Sequence, residues 1–125
     1  MSELRGVIVS HVSLAQALVS AVASITGIAD ALVPVSNEGC DPPELAALVT
    51  AAVGNGPAVL FVDLPGGSCL TGAVRLARGR ADLAVVAGVN LAMLLDFVFH
   101  RDASPAEAAR RAADAGGRAI KVAVA

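Results

Sequence analysis

Two rhythms of apolar residues alternate along this chain. Short continuous apolar runs, Gly6 to Ser10, Ile28 to Val35, Ala58 to Asp63 and Leu83 to Ala87, predict buried strands. Between them apolar residues recur at helical spacing. Leu14, Leu18, Val22 and Ile25 predict a first helix, with Ser13 as its N-cap and Gly27 as its stop. Leu45, Leu48, Val49 and Val53 mark a second, ended by Gly54-Asn55-Gly56. Its start is strong: Asp41 can cap, Pro42 fits the first helical position, and Glu44 can reach back. A third helix is predicted from about Cys69 to Arg78 and a fourth from Leu91 to Phe99. Ser104-Pro105-Ala106-Glu107 reads as a second capping box, opening a fifth helix that runs to Gly116-Gly117. Ala119 to Val124 reads as a last, short strand.

Strands alternating with helices predict an α/β fold, a doubly wound and mostly parallel sheet with right-handed crossovers. The last strand follows two consecutive helices, so it need not run parallel to the rest. It is the element best placed to be an edge strand or to be exchanged. The length of 125 residues fits one domain over 1–125. No linker, repeat or low-complexity segment interrupts it.

Composition narrows the function. Hydrophobic residues make up 56% and charged residues 16%, too apolar for disorder. The net charge of -2 offers no basic field for nucleic acid. Phe61, Phe97 and Phe99 are the whole aromatic complement, which argues against a base- or flavin-stacking surface. Cys40 and Cys69 lack metal-ligand spacing and make no disulfide framework. Cys40 reads as a loop thiol and Cys69 as a small residue opening a helix. No N-terminal signal is visible, because Glu3 and Arg5 lead straight into a strand. The greasy stretch Ala15 to Val35 is broken by Gln16, Ser20, Ser24, Thr26, Gly27 and Asp30, so no membrane span is expected. The expectation is a cytoplasmic protein with both sheet faces covered and a subunit interface.

The candidate chemistry lies where strands end. In an open parallel sheet, ligands bind outside the carboxyl ends of the strands. His11 follows the first strand and precedes a helix N-terminus, which favours anions. Alone, it would more simply cap or pack beside that helix. Asp63 ends the most convincing strand and could be a mere turn former. Together they suggest more: a carboxylate on one ring nitrogen fixes the tautomer and raises the basicity of the other. Gly66-Gly67-Ser68 directly precedes a helix, so its backbone N–H groups and the Ser68 hydroxyl could cradle a phosphoryl group. Neither a Walker loop nor a dinucleotide turn is present, and ATP or NAD is not indicated. Asn90 also ends a strand; a helix cap is the slightly favoured reading, the lining of the same crevice the other. His100 reads as a helix-end residue, while Arg75, Arg78, Arg80, Arg110 and Arg111 read as solvated surface. A Ser68-His11-Asp63 hydrolase set is a minor rival, because the G-x-S-x-G elbow is missing and Asp63 and Ser68 share one loop.

Three segments in order carry a resemblance: Val7-Ile8-Val9-Ser10-His11, Val62-Asp63-Leu64-Pro65-Gly66-Gly67-Ser68, and Ala87-Gly88-Val89-Asn90-Leu91-Ala92-Met93-Leu94. Together they resemble the IIA component of the mannose-type (mannose-fructose-sorbose) bacterial phosphotransferase system, over essentially the whole chain. The related IIA-like domain of the dihydroxyacetone kinase phosphotransfer subunit has a similar histidine segment. The double glycine and the Gly88-Val89-Asn90 segment favour the mannose type.

The resemblance implies a flavodoxin-like fold and a homodimer with an exchanged, antiparallel last strand. It implies that His11 accepts a phosphoryl group from the phosphocarrier protein HPr and passes it to a histidine of a IIB component. Asp63 and the Gly66, Gly67, Ser68 loop match the family's site residues, and no metal or cofactor is implied. The chain departs from the family pattern at three places: Val12 stands where glycine is usual, Cys69 and Ala92 where proline is usual. Two other functions compete with a carrier for sugar uptake. One is a regulatory phosphoprotein whose His11 state controls a partner instead of feeding transport. The other is a binding module whose pocket merely contains His11.

Overall fold

The computed structural model describes residues 3–125. Nine elements follow in order: β1 (Arg5–Ser10), α1 (Leu14–Thr26), β2 (Leu32–Ser36), α2 (Pro42–Val53), β3 (Ala58–Val62), α3 (Ser68–Arg78), β4 (Leu83–Ala87), α4 (Leu91–Val98) and α5 (Pro105–Arg118). The strands form one parallel sheet in the order β2-β1-β3-β4. The apolar runs become strands because both faces of the central pair are covered. Every residue of β3 is buried, as is every residue of β1 after Arg5.

Period-two alternation divides the core between the two faces. Ile8, Val59 and Phe61 pack with α1, α4 and α5, including Val22, Leu94 and Phe97. Val7, Val9, Leu60 and Val62 pack with α2 and α3, including Leu45, Val49 and Ala73. Each fully buried side chain of this size contributes roughly 1.5–3 kcal/mol of transfer free energy. Phe61 and Phe97 meet edge to face with centroids 5.1 Å apart, which fixes α4 against the centre of the sheet.

The topology defines a crevice. From β1 the chain winds one way to β2; from β3 it winds the other way to β4. The order therefore reverses between β1 and β3, and their carboxyl ends open onto a switch point. Val9 pairs with Val62, so the loops carrying His11 and Asp63 leave the sheet almost level.

The elements differ from the sequence expectations in several places. Residues 28–31 connect α1 to β2 and are not strand. The strand begins only at Leu32, and Pro34 is accommodated because β2 is an edge. The box at Ser104 is half made: its hydroxyl accepts the Glu107 N–H at 3.2 Å, without the reciprocal bond formed at Asp41 and Glu44. The Gly116-Gly117 pair does not stop α5, which runs on to Arg118. A Cβ on Gly116 would lie 2.9 Å from the Met93 Cβ, so this glycine permits close approach of α4 and α5.

The predicted last strand, Ala119 to Val124, is not formed. No antiparallel edge strand exists among the described residues. A strand needs a hydrogen-bonded neighbour, and this segment leaves α5 without one. Ile120, Val122 and Val124 stand at least 76% exposed. Arg80 also departs from the surface reading. Its guanidinium donates to the Gly54 carbonyl at 2.7 Å, the Gly56 carbonyl at 3.0 Å and both Asp82 oxygens, clamping two loops at the amino ends of β3 and β4.

Candidate active site

Two turns at the switch point build the site. After β1, Val12 takes φ 54, the left-handed region, and turns the chain into α1. A β-branched residue pays roughly 1–2 kcal/mol there, which glycine avoids. The buried Ser10, and not Ser13, then serves the start of α1. Its Oγ accepts the Ala15 N–H at 2.7 Å, while Ser13 makes no side-chain cap. This pins His11 between the strand end and the helix.

After β3, Asp63 faces His11. Its Oδ2 accepts the His11 backbone N–H at 2.9 Å and the ring Nδ1–H at 2.7 Å. The Asp63 side chain is 9% exposed and that of His11 43%. Burial pushes the Asp63 carboxyl up, but the His11 backbone bond, ring bond and charge together pull it below its ordinary value. The carboxylate is therefore ionised near neutrality and can only accept. That sets the proton of a neutral His11 ring on Nδ1 and leaves the Nε2 lone pair free. No group among the described residues bonds to Nε2.

The Gly66-Gly67-Ser68 turn lies next to Asp63. Gly67 is the N-cap of α3 at φ 91, a conformation that glycine takes without strain, and no side chain caps this helix. The first N–H groups of α3 are left to an incoming anion. Ser68 opens the helix on the exposed side and helps line an open groove of about 600 Å³ between α2 and α3, with Leu45, Thr71 and Arg75.

Asn90 is committed elsewhere. Its Oδ1 accepts the Met93 N–H at 2.9 Å and its Nδ2 donates to the Gly116 carbonyl at 3.0 Å, so it caps α4 and ties it to α5. His100 belongs to that same layer, bonded to Asp96 and Arg111. Cys69, read from the sequence as a small residue opening a helix, stands at the centre instead: it is 1% exposed and close to both His11 and Asp63. Burial first, and then the Asp63 charge, push its thiol up against an opposing hydrogen bond with Ser68, which keeps it protonated near neutrality.

The family described as the phosphotransferase system fructose IIA component matches residues 6–113. The chain belongs to this family. Among solved structures, the mannose/sorbose-specific IIA subunit from Enterococcus faecalis is 26% identical over 99% of this chain and 97% of that one, with a TM-score of 0.82. The phosphotransferase system component EIIA from Streptococcus agalactiae is 19% identical over 95% of this chain and 96% of that one, with a TM-score of 0.88. A IIA protein associated with a fucose utilization operon in Streptococcus pneumoniae is 15% identical over 97% and 96%, with a TM-score of 0.71. Comparison with the curated proteins gives no match. No helix among the described residues of this IIA-family chain is long and apolar enough to cross a membrane.

Proposed function

We propose that this chain is the phosphoryl carrier of a phosphoenolpyruvate-dependent sugar phosphotransferase system. Phospho-HPr is the donor, His11 the acceptor, and a histidine of a IIB component the next station. The observation that carries the reading is the 2.7 Å bond from His11 Nδ1 to Asp63 Oδ2 beside an unpartnered Nε2, in a chain of the IIA family.

The Nε2 lone pair attacks phosphorus in line, the P–N bond to the donor imidazole breaks, and that bond's electron pair returns to the donor ring. Nδ1 keeps its proton throughout. Asp63 steadies the positive charge that the His11 ring acquires, so it orients and stabilises without itself taking the proton. The backbone N–H groups at Gly66, Gly67 and Ser68, with the Ser68 hydroxyl, hold the phosphoryl oxygens as fixed dipoles. Transfer to IIB is the same exchange in reverse at a new nitrogen. No metal or cofactor enters these steps.

Residues 1–125 act in this reading as one phosphotransfer domain in the cytoplasm. The exposed Ile120, Val122 and Val124 support a homodimer in which the last segment of each chain becomes an antiparallel strand of its partner.

The test is intact-mass spectrometry after incubation with phosphoenolpyruvate, Enzyme I and HPr. Wild type should gain one acid-labile phosphoryl group and His11→Ala none. Folded wild type that gains nothing would refute the carrier.

A further inference from the structure

The sequence spacing of the cysteines gives no hint of a metal site, yet the fold assembles a mixed ligand set. A ring nitrogen of His11, a carboxylate oxygen of Asp63 and the Cys69 Sγ lie within 4.8 Å of one another. We propose that His11, Asp63 and Cys69 form a three-ligand site for Zn²⁺, which would occupy the imidazole that otherwise takes the phosphoryl group.

Three observations support this. The first is the donor set. One imidazole, one thiol sulfur and one carboxylate favour a borderline-soft ion such as Zn²⁺ over Mg²⁺ or Ca²⁺, which prefer oxygen alone. The second is an orphaned acceptor. Asp63 Oδ2 takes both bonds from His11, while Asp63 Oδ1 is buried without a hydrogen-bond partner among the described residues. A buried unpartnered carboxylate oxygen invites an ion. The third is reach. Zn–N and Zn–O bonds near 2.0 Å and Zn–S bonds near 2.3 Å place tetrahedral ligand atoms roughly 3.5 Å apart. The group therefore needs to close by about an ångström. The half-exposed His11 ring, held by one side-chain bond, is free to make that turn.

On binding, the Cys69 S–H proton passes to bulk water and the thiolate becomes a ligand. The ion's charge also reverses the effect of Asp63 on that sulfur, since a thiolate beside a carboxylate and a dication is no longer opposed. Three protein ligands leave the fourth position to water, as in accessible zinc sites. Cys69 supplies the sulfur at the position where the resemblance leads one to expect proline.

The consequence for phosphoryl transfer rests on the carrier reading, but binding does not. The first experiment therefore reads binding alone, by titrating the metal-free protein with Zn²⁺ in a calorimeter and with Co²⁺ as a spectroscopic probe. Wild type should bind one equivalent, and Co²⁺ should give a thiolate-to-metal charge-transfer band. Cys69→Ser, which keeps the volume, and His11→Ala should each bind at least about tenfold more weakly and lose that band or its tetrahedral pattern. Cys40→Ser should bind as wild type does. Absence of binding to folded wild type, or equal binding by Cys69→Ser, would overturn the site. The second experiment adds pre-charged phospho-HPr with and without Zn²⁺, each protein compared with its own zinc-free rate. Zinc should slow uptake by wild type and not by Cys69→Ser. Zinc binding by a protein that never accepts a phosphoryl group would retain the site and remove the carrier; the reverse result would do the opposite.

Discussion

The chain has two histidines, each beside an aspartate, and they end in opposite situations. At the crest of the sheet, His11 gives Nδ1 to Asp63 at 2.7 Å and nothing among the described residues holds Nε2. At the end of α4, His100 gives Nδ1 to the Asp96 carbonyl at 2.8 Å, but its Nε2 faces the Arg111 guanidinium at 2.9 Å. A guanidinium only donates, so it consumes the His100 lone pair. Both rings thus carry the proton on the same nitrogen. The deciding difference lies in the other one. A ring with one nitrogen held and one free is a nucleophile in waiting, whereas a ring with both engaged is a strut between α4 and α5.

The sharpest way to break that contrast is to remove each ring in turn. His11→Ala should abolish phosphoryl uptake while the protein remains folded. His100→Ala should keep uptake and lose about 1 kcal/mol of stability from its hydrogen bonds, read as a lower urea midpoint. Loss of uptake in both, with both folded, would erase the distinction.

Asp63→Asn tests what holds the His11 ring. The amide keeps the shape and loses the charge, so uptake should slow by about 10- to 100-fold without unfolding. Normal transfer rates in the variant would remove Asp63 from the mechanism. The same substitution has a pH signature. Asp63 is held below its ordinary value of 3.8 once His11 outweighs burial. A carboxyl depressed by folding stabilises the native state above the unfolded pKa, and that contribution disappears as pH falls through the folded pKa. The stability gap between wild type and Asp63→Asn should be full at neutral pH and close below about pH 4. Urea unfolding at both pH values measures it. A gap that widened in acid would reverse the sign.

These two regions were unequally legible in the sequence. The crest could be read because parallel strands are continuous apolar runs, and the residues that end them are the ones a switch point exposes. His11 and Asp63 sit at the ends of such runs. What hid was everything decided by contact. Ser13 looked like the cap of α1, but the turn at Val12 delivers the Ser10 hydroxyl instead. Gly116 looked like a stop, since glycine marks both helix ends and close approaches. Asn90 could not be assigned to crevice or cap until its two partners in α4 and α5 were in place. Cys69 gave no signal, because its neighbours are 58 and 6 residues away in sequence. The last segment forms no strand within the single chain for a related reason: alternation yields a strand only where a partner edge is present.

The α4–α5 layer makes a prediction of its own, about packing and not chemistry. Gly116→Ala would bring a methyl to 2.8 Å from the Met93 Cε and 3.0 Å from Asn90 Oδ1. The helices must separate or Asn90 must move, at a cost of roughly 1–3 kcal/mol. Alanine is the better helix former, so propensity alone predicts the opposite sign. A raised thermal midpoint in Gly116→Ala would mean that this layer is loosely packed and that His100 is no strut.

The smallest effect belongs to the crest. Val12 holds φ 54 and is 58% exposed, so it gives up little burial if removed. Glycine would relieve roughly 1–2 kcal/mol of left-handed strain and add roughly 0.5–1 kcal/mol of unfolded-state entropy. Val12→Gly should therefore stabilise the protein, by about 0.5–1 kcal/mol, seen as a higher urea midpoint at unchanged slope. The strained residue adjoins the group proposed to react, whereas the packed layer around His100 contains no non-glycine residue in that region. If Val12→Gly is stabilising and also slows uptake, the strain helps to hold His11 in register with Asp63. If it is stabilising and uptake is unchanged, the Ser10 and Asp63 bonds position the ring by themselves. A lower midpoint would show that the turn stores no strain, and the crest would differ from the α4–α5 layer only in what holds Nε2.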